Sequence, residues 1–341
     1  MALNRSDTIL KYIVEYFIKN AQPVGSQTLL DEYHLPYSSA TIRNEMVVLE
    51  KLGYLEKTHT SSGRVPSTKG YKYYCERLRD KNIDEELKYS LQTVLSGKVQ
   101  SIENVIQASC EVVSHMTNLV SVVSRNEENT ECLASVQLVP ISQNTFTAIF
   151  VTDSGYVESK TFLAPENMSV EEINKCMVLL NERLKGTPIK DLVNKMEALK
   201  PVLNDYVISH DLIYQALLET FLRFASDRLS LYGREELFKH PEFTSDQEKL
   251  LSVMKLLDDK ELFKEMNENN GDEIQVKIGE VEGNPDVSLV TAKLNLGQEG
   301  ETSISLIGPK RMDYDKAVSA LEILKEELNK YFQEMNKGGK N

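Results

Sequence analysis

The chain has 341 residues, 41% of them hydrophobic and 27% charged, with 15 Tyr and 10 Phe. That balance excludes wholesale disorder and sets two or three domains as the expectation. The longest apolar run, Cys176 to Leu180, is five residues, and since a membrane-spanning helix needs about 20, none is expected. The net charge of −13 is uneven, because residues 1–80 carry 11 Lys/Arg against 9 Asp/Glu.

Within that first part, Lys57 to Arg79 holds six basic residues against one acid, Glu76. A basic patch on an acidic chain suits a nucleic-acid-binding module on a solubilising body, although a chance surface cluster has the same composition. The opening residues Met1 to Asp7 reach a charged amphipathic stretch at once. With no apolar leader core, a cytoplasmic location is the expectation. Cys75, Cys110, Cys132 and Cys176 lie 35, 22 and 44 residues apart, and no C-x-x-C occurs. Reduced thiols are expected, with neither structural zinc nor a disulfide framework.

In chain order, Ile9, Leu10, Ile13, Val14, Phe17 and Ile18 form one apolar stripe of a helix that Ser6 or Asp7 can cap. Pro23-Val24-Gly25 breaks the chain, and Ser26 is the expected cap of a short second helix through Tyr33. After His34-Leu35-Pro36-Tyr37, Ser38 or Ser39 caps a third helix that runs to about Leu52 and ends at Gly53. Ile42, Met46 and Leu49 face the other helices, while Ala40, Asn44, Val47 and Lys51 point away and Arg43 sits at the edge of that outer face.

This is a helix-turn-helix pattern, in which the N-terminal part of the later helix enters the major groove. Ser39, Ala40, Thr41, Arg43 and Asn44 occupy that part. Arg pairs bidentately with guanine and Asn with adenine, and the Ala and Thr methyls touch thymine. A solvated face of a plain three-helix bundle has the same pattern. Residues 54–58 and Val65-Pro66 then read as a hairpin, with a polar tip at Thr60-Ser61-Ser62-Gly63-Arg64 and Gly63 expected in a left-handed turn. Ser67 caps a helix carrying Lys69 and Lys72. Helix-turn-helix plus basic wing predicts a winged-helix DNA reader over residues 1–80. Lys57, His59, Ser61, Ser62, Gly63, Arg64, Lys69 and Lys72 are its candidate phosphate or minor-groove contacts.

The strings Ser39-Ala40-Thr41-Ile42-Arg43-Asn44-Glu45-Met46, Leu49-Glu50, Gly53-Tyr54-Leu55, His59 to Ser67 and Gly70-Tyr71 resemble the N-terminal signature of the HrcA family. Ile307 to Tyr314 resembles that family's C-terminal motif, so the resemblance covers essentially the whole chain. It implies a heat-inducible repressor of bacterial chaperone operons. It further implies a GAF-like domain containing an inserted dimerisation domain, a CIRCE operator and the GroE chaperonin as partner.

From Ile83 to Val123 the apolar positions are helical, with Gly97 as a break. Their seven-residue steps, Ile102 to Val123 and Val105 to Leu119, fit either a helix packed on a sheet or a short coiled coil. Leu133–Pro140, Phe146–Thr152 and Val157–Leu163 read as an antiparallel meander. Pro165 to about Asn267 reads as helical, with caps at Ser169 and near Ser209 and a stripe through Leu212, Ala216, Leu217, Phe221 and Phe224. Strand signals return at Ile274–Ile278, Val287–Leu296 and Thr302–Ile307, followed by a final amphipathic helix and a frayed tail over Asn336–Asn341.

The expected fold is α+β and multidomain, with an N-terminal winged helix-turn-helix over 1–80. A GAF-like α/β sheet domain over 81–165 and 268–341 is interrupted by a mostly helical inserted dimerisation domain over 166–267. The six strands are expected in one sheet.

No phosphate-loop, dinucleotide, zincin or nucleophile-elbow motif occurs. Asp258-Asp259 reads as a solvated face, and Asp313 and Asp315 as caps of the last helix. No enzyme activity, cofactor, metal or membrane contact is expected. The leading reading is a homodimeric repressor that occupies an inverted-repeat operator in double-stranded DNA. The alternatives are a small-molecule sensor with a ligand pocket in the sheet domain, although no polar cluster is evident on its strands, and an enzyme with an appended DNA-binding domain.

Overall fold

The computed structural model describes residues 3–57, 63–80, 84–96, 102–125, 131–142, 145–153, 155, 157–163, 170–204, 218, 229–259, 262–263, 273–279, 281–295 and 301–338. It is a multidomain mixture of helix and sheet. Among the described residues, no helix is long and apolar enough to cross a membrane.

Helices α1 (Arg5–Asn20), α2 (Ser26–Tyr33) and α3 (Ser39–Lys51) open the chain. The cap of α1 is Asn4, which accepts from the Asp7 N–H at 2.8 Å, rather than Ser6 or Asp7. Gly25 caps α2, and Ser26 is its first helical residue. Ser38 caps α3 by accepting from the Thr41 N–H at 3.1 Å. Strands β1 (Leu55–Lys57) and β2 (Arg64–Pro66) pair antiparallel. Val24 adds a further bridge onto Arg64, with backbone bonds of 3.0 Å in both directions. That bridge ties the hairpin to the turn between α1 and α2. Helix α4 (Thr68–Tyr73), capped by Ser67, runs on into a π-helical turn, Tyr74–Leu78.

Two glycines here are required by close approach. A Cβ on Gly70 would lie 2.1 Å from the Tyr54 carbonyl oxygen, and one on Gly63 would lie 2.8 Å from Pro23 Cβ. Gly63 is not in the expected left-handed conformation. Its lack of a side chain serves packing instead.

Helices α5 (Glu85–Leu95) and α6 (Ile102–Thr117) follow. The helical pattern expected to reach Val123 stops at Asn118, whose φ is 55°, and Val120–Arg125 is strand β3. Leu119 and Val123 continue the seven-residue stripe in sequence but belong to the strand side of this break. Alternating β-branched residues, Val120-Ser121-Val122-Val123, prefer a pleated surface. Helix α6 packs Cys110 and Val113 into the main core, which decides for a packed helix over a coiled coil.

The single expected sheet is two sheets. Strands β4 (Leu133–Pro140), β5 (Thr145–Thr152) and β6 (Val157–Leu163) form one of them, in the order β4-β5-β6. The other contains β7 (Leu229–Tyr232), β3, β10 (Glu301–Pro309), β9 (Val287–Asn295) and β8 (Gln275–Ile278), in the order β7-β3-β10-β9-β8 with every pairing antiparallel. The late strands therefore close on β3, with Ile304 opposite Val123, and not on the 133–163 meander. Strand β7 lies within the stretch expected to be helical.

The cores divide the same way. Leu133, Phe146 and Phe150 pack with Met177, Leu180 and Leu184 of α7 (Val170–Leu184) and Leu192 and Met196 of α8 (Leu192–Asn204). The meander thus shares a helix-on-sheet core with α7 and α8, separate from the core of the five-stranded sheet. One face of the five-stranded sheet packs on α9 (Pro241–Thr244) and α10 (Gln247–Leu257) through Phe243, Val253 and Leu256. Its other face meets α5, α6 and α11 (Tyr314–Gly338), which extends through much of the tail expected to fray. Residues 97–101, the caps expected at Ser169 and Ser209 and the stripe from Leu212 to Phe224 lie outside the described residues.

The N-terminal unit joins this main core. Tyr71 packs on Tyr314 with ring centroids 5.5 Å apart, the Tyr74 hydroxyl donates to Asp315 at 2.7 Å, and Arg311 donates to the Ile18 carbonyl at 2.8 Å. Carboxylate oxygens of Glu15, Asp80 and Asp315 gather within 4.8 Å of one another at this junction, beside Lys11.

Burial pushes the Glu15 carboxyl up to about 7, with Asp80 and Asp315 adding to the rise and Lys11 offsetting part of it. Folded Glu15 then holds its proton where the unfolded residue, near 4.5, has lost it. Stability falls as pH rises through that window. Glu15→Gln is expected to melt above wild type at pH 8 and together with it near pH 4. A variant melting below wild type at pH 8 contradicts the assignment.

Candidate nucleic-acid interface

Helix α3 is held from one side by Ile42, Met46 and Leu49, all buried against α1 and α2. Across the helix, Ala40, Arg43 and Asn44 are exposed on its first two turns, as the 100° spacing requires. Ser39 and Thr41 are half-buried. The Ser39 hydroxyl lies 3.0 Å from Ser26 Oγ, and Thr41 Oγ1 lies 2.8 Å from Ser38 Oγ. The first ties the start of α3 to the start of α2, and the second ties it to its own cap. The outward donors and acceptors on this face belong to Arg43 and Asn44. Glu45 turns back onto α1, accepting from Arg5 Nε at 2.8 Å and Ser6 Oγ at 2.7 Å.

Arg64 departs from the expected phosphate contact. Its side chain is 9% exposed, and its Nε and Nη2 donate to Glu50 Oε2 at 2.8 and 2.7 Å. The guanidinium thus braces the tip end of the hairpin ladder against α3. Arg is the residue suited to a buried paired charge. Glu50, absent from the expected site, is what holds it. Nothing in helical periodicity joins two residues 14 apart across a hairpin.

Lys57 is exposed on β1, with its Nζ 4.0 Å from Glu50 Oε1. Lys69 Nζ donates to the Leu52 carbonyl at 2.8 Å and sits 4.6 Å above the Tyr54 ring. It caps the end of α3 while remaining exposed. Lys72 lines a cleft together with residues of β8 and α11. Gly63 is buried against Pro23. His59, Ser61 and Ser62 lie outside the described residues.

The strands also differ from expectation in polarity. Ser121, Ser288, Thr291, Ser303 and Ser305 are buried in the five-stranded sheet. Several are mutually satisfied: Thr291 Oγ1 lies 2.8 Å from Ser305 Oγ, Ser121 Oγ accepts from Ser114 at 2.7 Å, and Ser288 Oγ accepts from Tyr314 at 2.9 Å.

The model of the HrcA protein C-terminal domain matches residues 103–318. A heat-inducible transcription repressor HrcA from Halalkalibacterium halodurans is 34% identical over 340 residues, covering 98% of this chain and 99% of that one. Another, from Bacillus pumilus, is 38% identical over 335 residues, covering 96% and 97%. A crystal structure at 2.2 Å, described as that of a hypothetical protein, has a TM-score of 0.65 and 26% identity over 98% of this chain and 99% of its own.

A capped helix with an exposed polar face, set on an acidic multidomain body, is consistent in build with a transcription regulator. The chain belongs to the HrcA family of heat-inducible transcription repressors. It binds DNA and regulates heat-shock genes negatively, and the family is a class of regulators rather than of enzymes.

Proposed function

We propose that residues 1–80 act as a winged helix-turn-helix, with α3 as the base reader and the β1–β2 hairpin as the wing. The observation that carries this reading is the exposed set Ala40, Arg43 and Asn44 on the first two turns of a helix whose other side is locked in the core. Lys57 and Lys69 contact phosphates, and the hairpin tip with His59, Ser61 and Ser62 reaches the adjacent backbone or minor groove. Arg64 positions the wing through Glu50, and Lys72 faces the body. Lys57→Ala should weaken cognate and random DNA alike and lower the salt slope of binding by about one unit. A loss confined to one base position, at an unchanged slope, would show that Lys57 reads a base.

One winged helix covers few base pairs, so specificity calls for a two-fold dimer on an inverted repeat, the CIRCE element of chaperone operons. The unit of the meander with α7 and α8, residues 131–204, carries the dimer contact, and the five-stranded domain is the GAF-like part. Support comes from the meander face opposite α7, where Val139, Val157 and Leu163 are exposed. Charged substitution of Val157 should yield monomers with weakened operator binding, read by sedimentation and titration. A dimer of unchanged affinity removes this face from the contact.

The repressor acts in the cytoplasm and depends on the GroE chaperonin to reach its active form. The five-stranded sheet pairs β3 with strands some 180 residues later, as in Val123 opposite Ile304. Such non-local pairing forms slowly and leaves strand edges exposed meanwhile. Operator binding should fall on modest warming and recover with chaperonin and ATP. Operator affinity that holds through heat-shock temperatures, indifferent to chaperonin, would overturn this dependence.

A further inference from the structure

The string Ile307 to Tyr314 takes no part in the DNA-reading face, yet it sits where the N-terminal unit meets the body. Pro309 ends β10, and the chain turns into α11 through a tight loop. The Lys310 N–H donates to the Asp286 carbonyl at 2.7 Å, and the Met312 N–H to the Pro309 carbonyl at 2.8 Å. Asp313 caps α11, accepting from the Lys316 N–H at 2.9 Å. Met312 and Tyr314 are buried, and Arg311, before them, reaches two other elements.

Arg311 is the decisive group. Its Nε donates to Glu242 of α9, in the body, and its Nη1 donates to the Ile18 carbonyl, in the last turn of α1, at 2.8 Å. Carbonyls in the last turn of a helix lack an intrahelical partner and carry the negative end of its dipole, so a guanidinium suits them. Its planar fork holds two acceptors in fixed directions, which a lysine ammonium does not. The Arg311 and Glu242 side chains are 24% and 26% exposed, so the pair matters less for stability than for direction.

The junction has a second line of attachment. Tyr71 packs on Tyr314, Tyr74 donates to Asp315 and Arg79 donates to Glu322, so α4 and the turn after it lie along the start of α11. Contacts along one line leave rotation about that line as the softest motion. Arg311 engages a different helix, α1, and opposes that rotation. Helix α3 follows α1, to which Glu45 ties it through Arg5 and Ser6.

We propose that Arg311 is a positioning residue for operator binding: by linking α1 to α9 it fixes the angle of α3 on the body, and with it the half-site spacing that a dimer accepts. This rests on the two-fold operator reading above. Half-sites must lie in register with the helical repeat of DNA, and one inserted base pair turns a half-site by roughly 35°.

The test has two arms, both on the full chain. In the first, without DNA, spin labels attached by thiol-independent chemistry at Glu32 of α2 and Lys255 of α10, both exposed, report the distance from unit to body. Labelled protein is diluted into unlabelled protein, so that distances within one chain dominate. The wild type should give a narrow distribution, Arg311→Met a broad one, and Arg311→Lys one in between. Glu242→Ala, which removes the acceptor on the body, should reproduce the broadening and serves if Arg311→Met does not fold. In the second arm, Arg311→Met should bind a single half-site as the wild type does. Its affinity for the inverted repeat at the preferred spacing should fall about tenfold, the scale of one lost hydrogen bond to a charged group. Duplexes with one base pair inserted or removed should be discriminated less than by the wild type. Distributions as narrow as wild type in Arg311→Met and Glu242→Ala overturn the positioning role, whatever happens on DNA. A broad distribution with unchanged spacing discrimination overturns the link to the operator. A wild type without any spacing preference removes the two-fold reading itself, and the first arm then still decides whether Arg311 fixes the unit.

Discussion

Arg43→Ala and Asn44→Ala are each expected to weaken binding to the cognate operator by about 1–3 kcal/mol, or roughly 5- to 150-fold, and to relax sequence preference. Both side chains are exposed on α3, and the residues that hold the helix are Ile42, Met46 and Leu49 on its other side. The melting temperature should therefore stay within the small range of ordinary surface changes. Random-sequence DNA should be bound almost as before by Asn44→Ala, because that residue carries no charge. Quantitative titration against cognate and scrambled duplexes, beside a thermal melt, separates these effects. Normal cognate binding by both variants would move the reader away from α3.

The second large effect concerns the brace of the wing. Glu50→Ala removes the ion-pair partner of the Arg64 guanidinium, which is 9% exposed and donates twice to Glu50. Breaking a fully buried pair costs about 3–5 kcal/mol. The Glu50 side chain is 28% exposed, so water relieves part of this, and about 2–3 kcal/mol is expected. Replacing both members, as Glu50→Leu with Arg64→Met, should recover most of the loss, because neither charge remains. Denaturant unfolding of the three proteins gives the comparison. A double variant less stable than Glu50→Ala alone would show that the ion pair itself, and not the charge left behind, sets the stability. Operator affinity should follow the same order, since the pair orients β2 against α3.

The opposite outcomes for Arg43 and Arg64 show where one-dimensional reasoning applies. Arg43 lies within a helix, where 100° per residue assigns every side chain a direction once the apolar stripe is known. Arg64 lies in a three-residue strand, and its direction depends on which residue the hairpin brings opposite it. A wing of basic residues and a hairpin braced by a buried cation have the same string of letters. Gly63 makes the same point, because the sequence marks a glycine without saying whether dihedral freedom or the neighbouring Pro23 demands it.

Sequence alone determined the local parts: three helices and their buried stripe, the cap of the third, the hairpin, the meander, the late strands, the last helix and the outward set Ala40, Arg43 and Asn44. Each follows from caps, periodicity and turn residues within about 15 positions, where the chain's own geometry is decisive. Tertiary structure alone decided what pairs with what. Strand β3 was concealed in a helical pattern that Asn118 ends, and β7 is only four residues long. With both strands unseen, the late strands had no partner but the meander, and one sheet was expected in place of two. Partner choice between strands far apart in the chain is settled by which pairing buries the apolar faces best, and alternation within one strand carries no record of that choice.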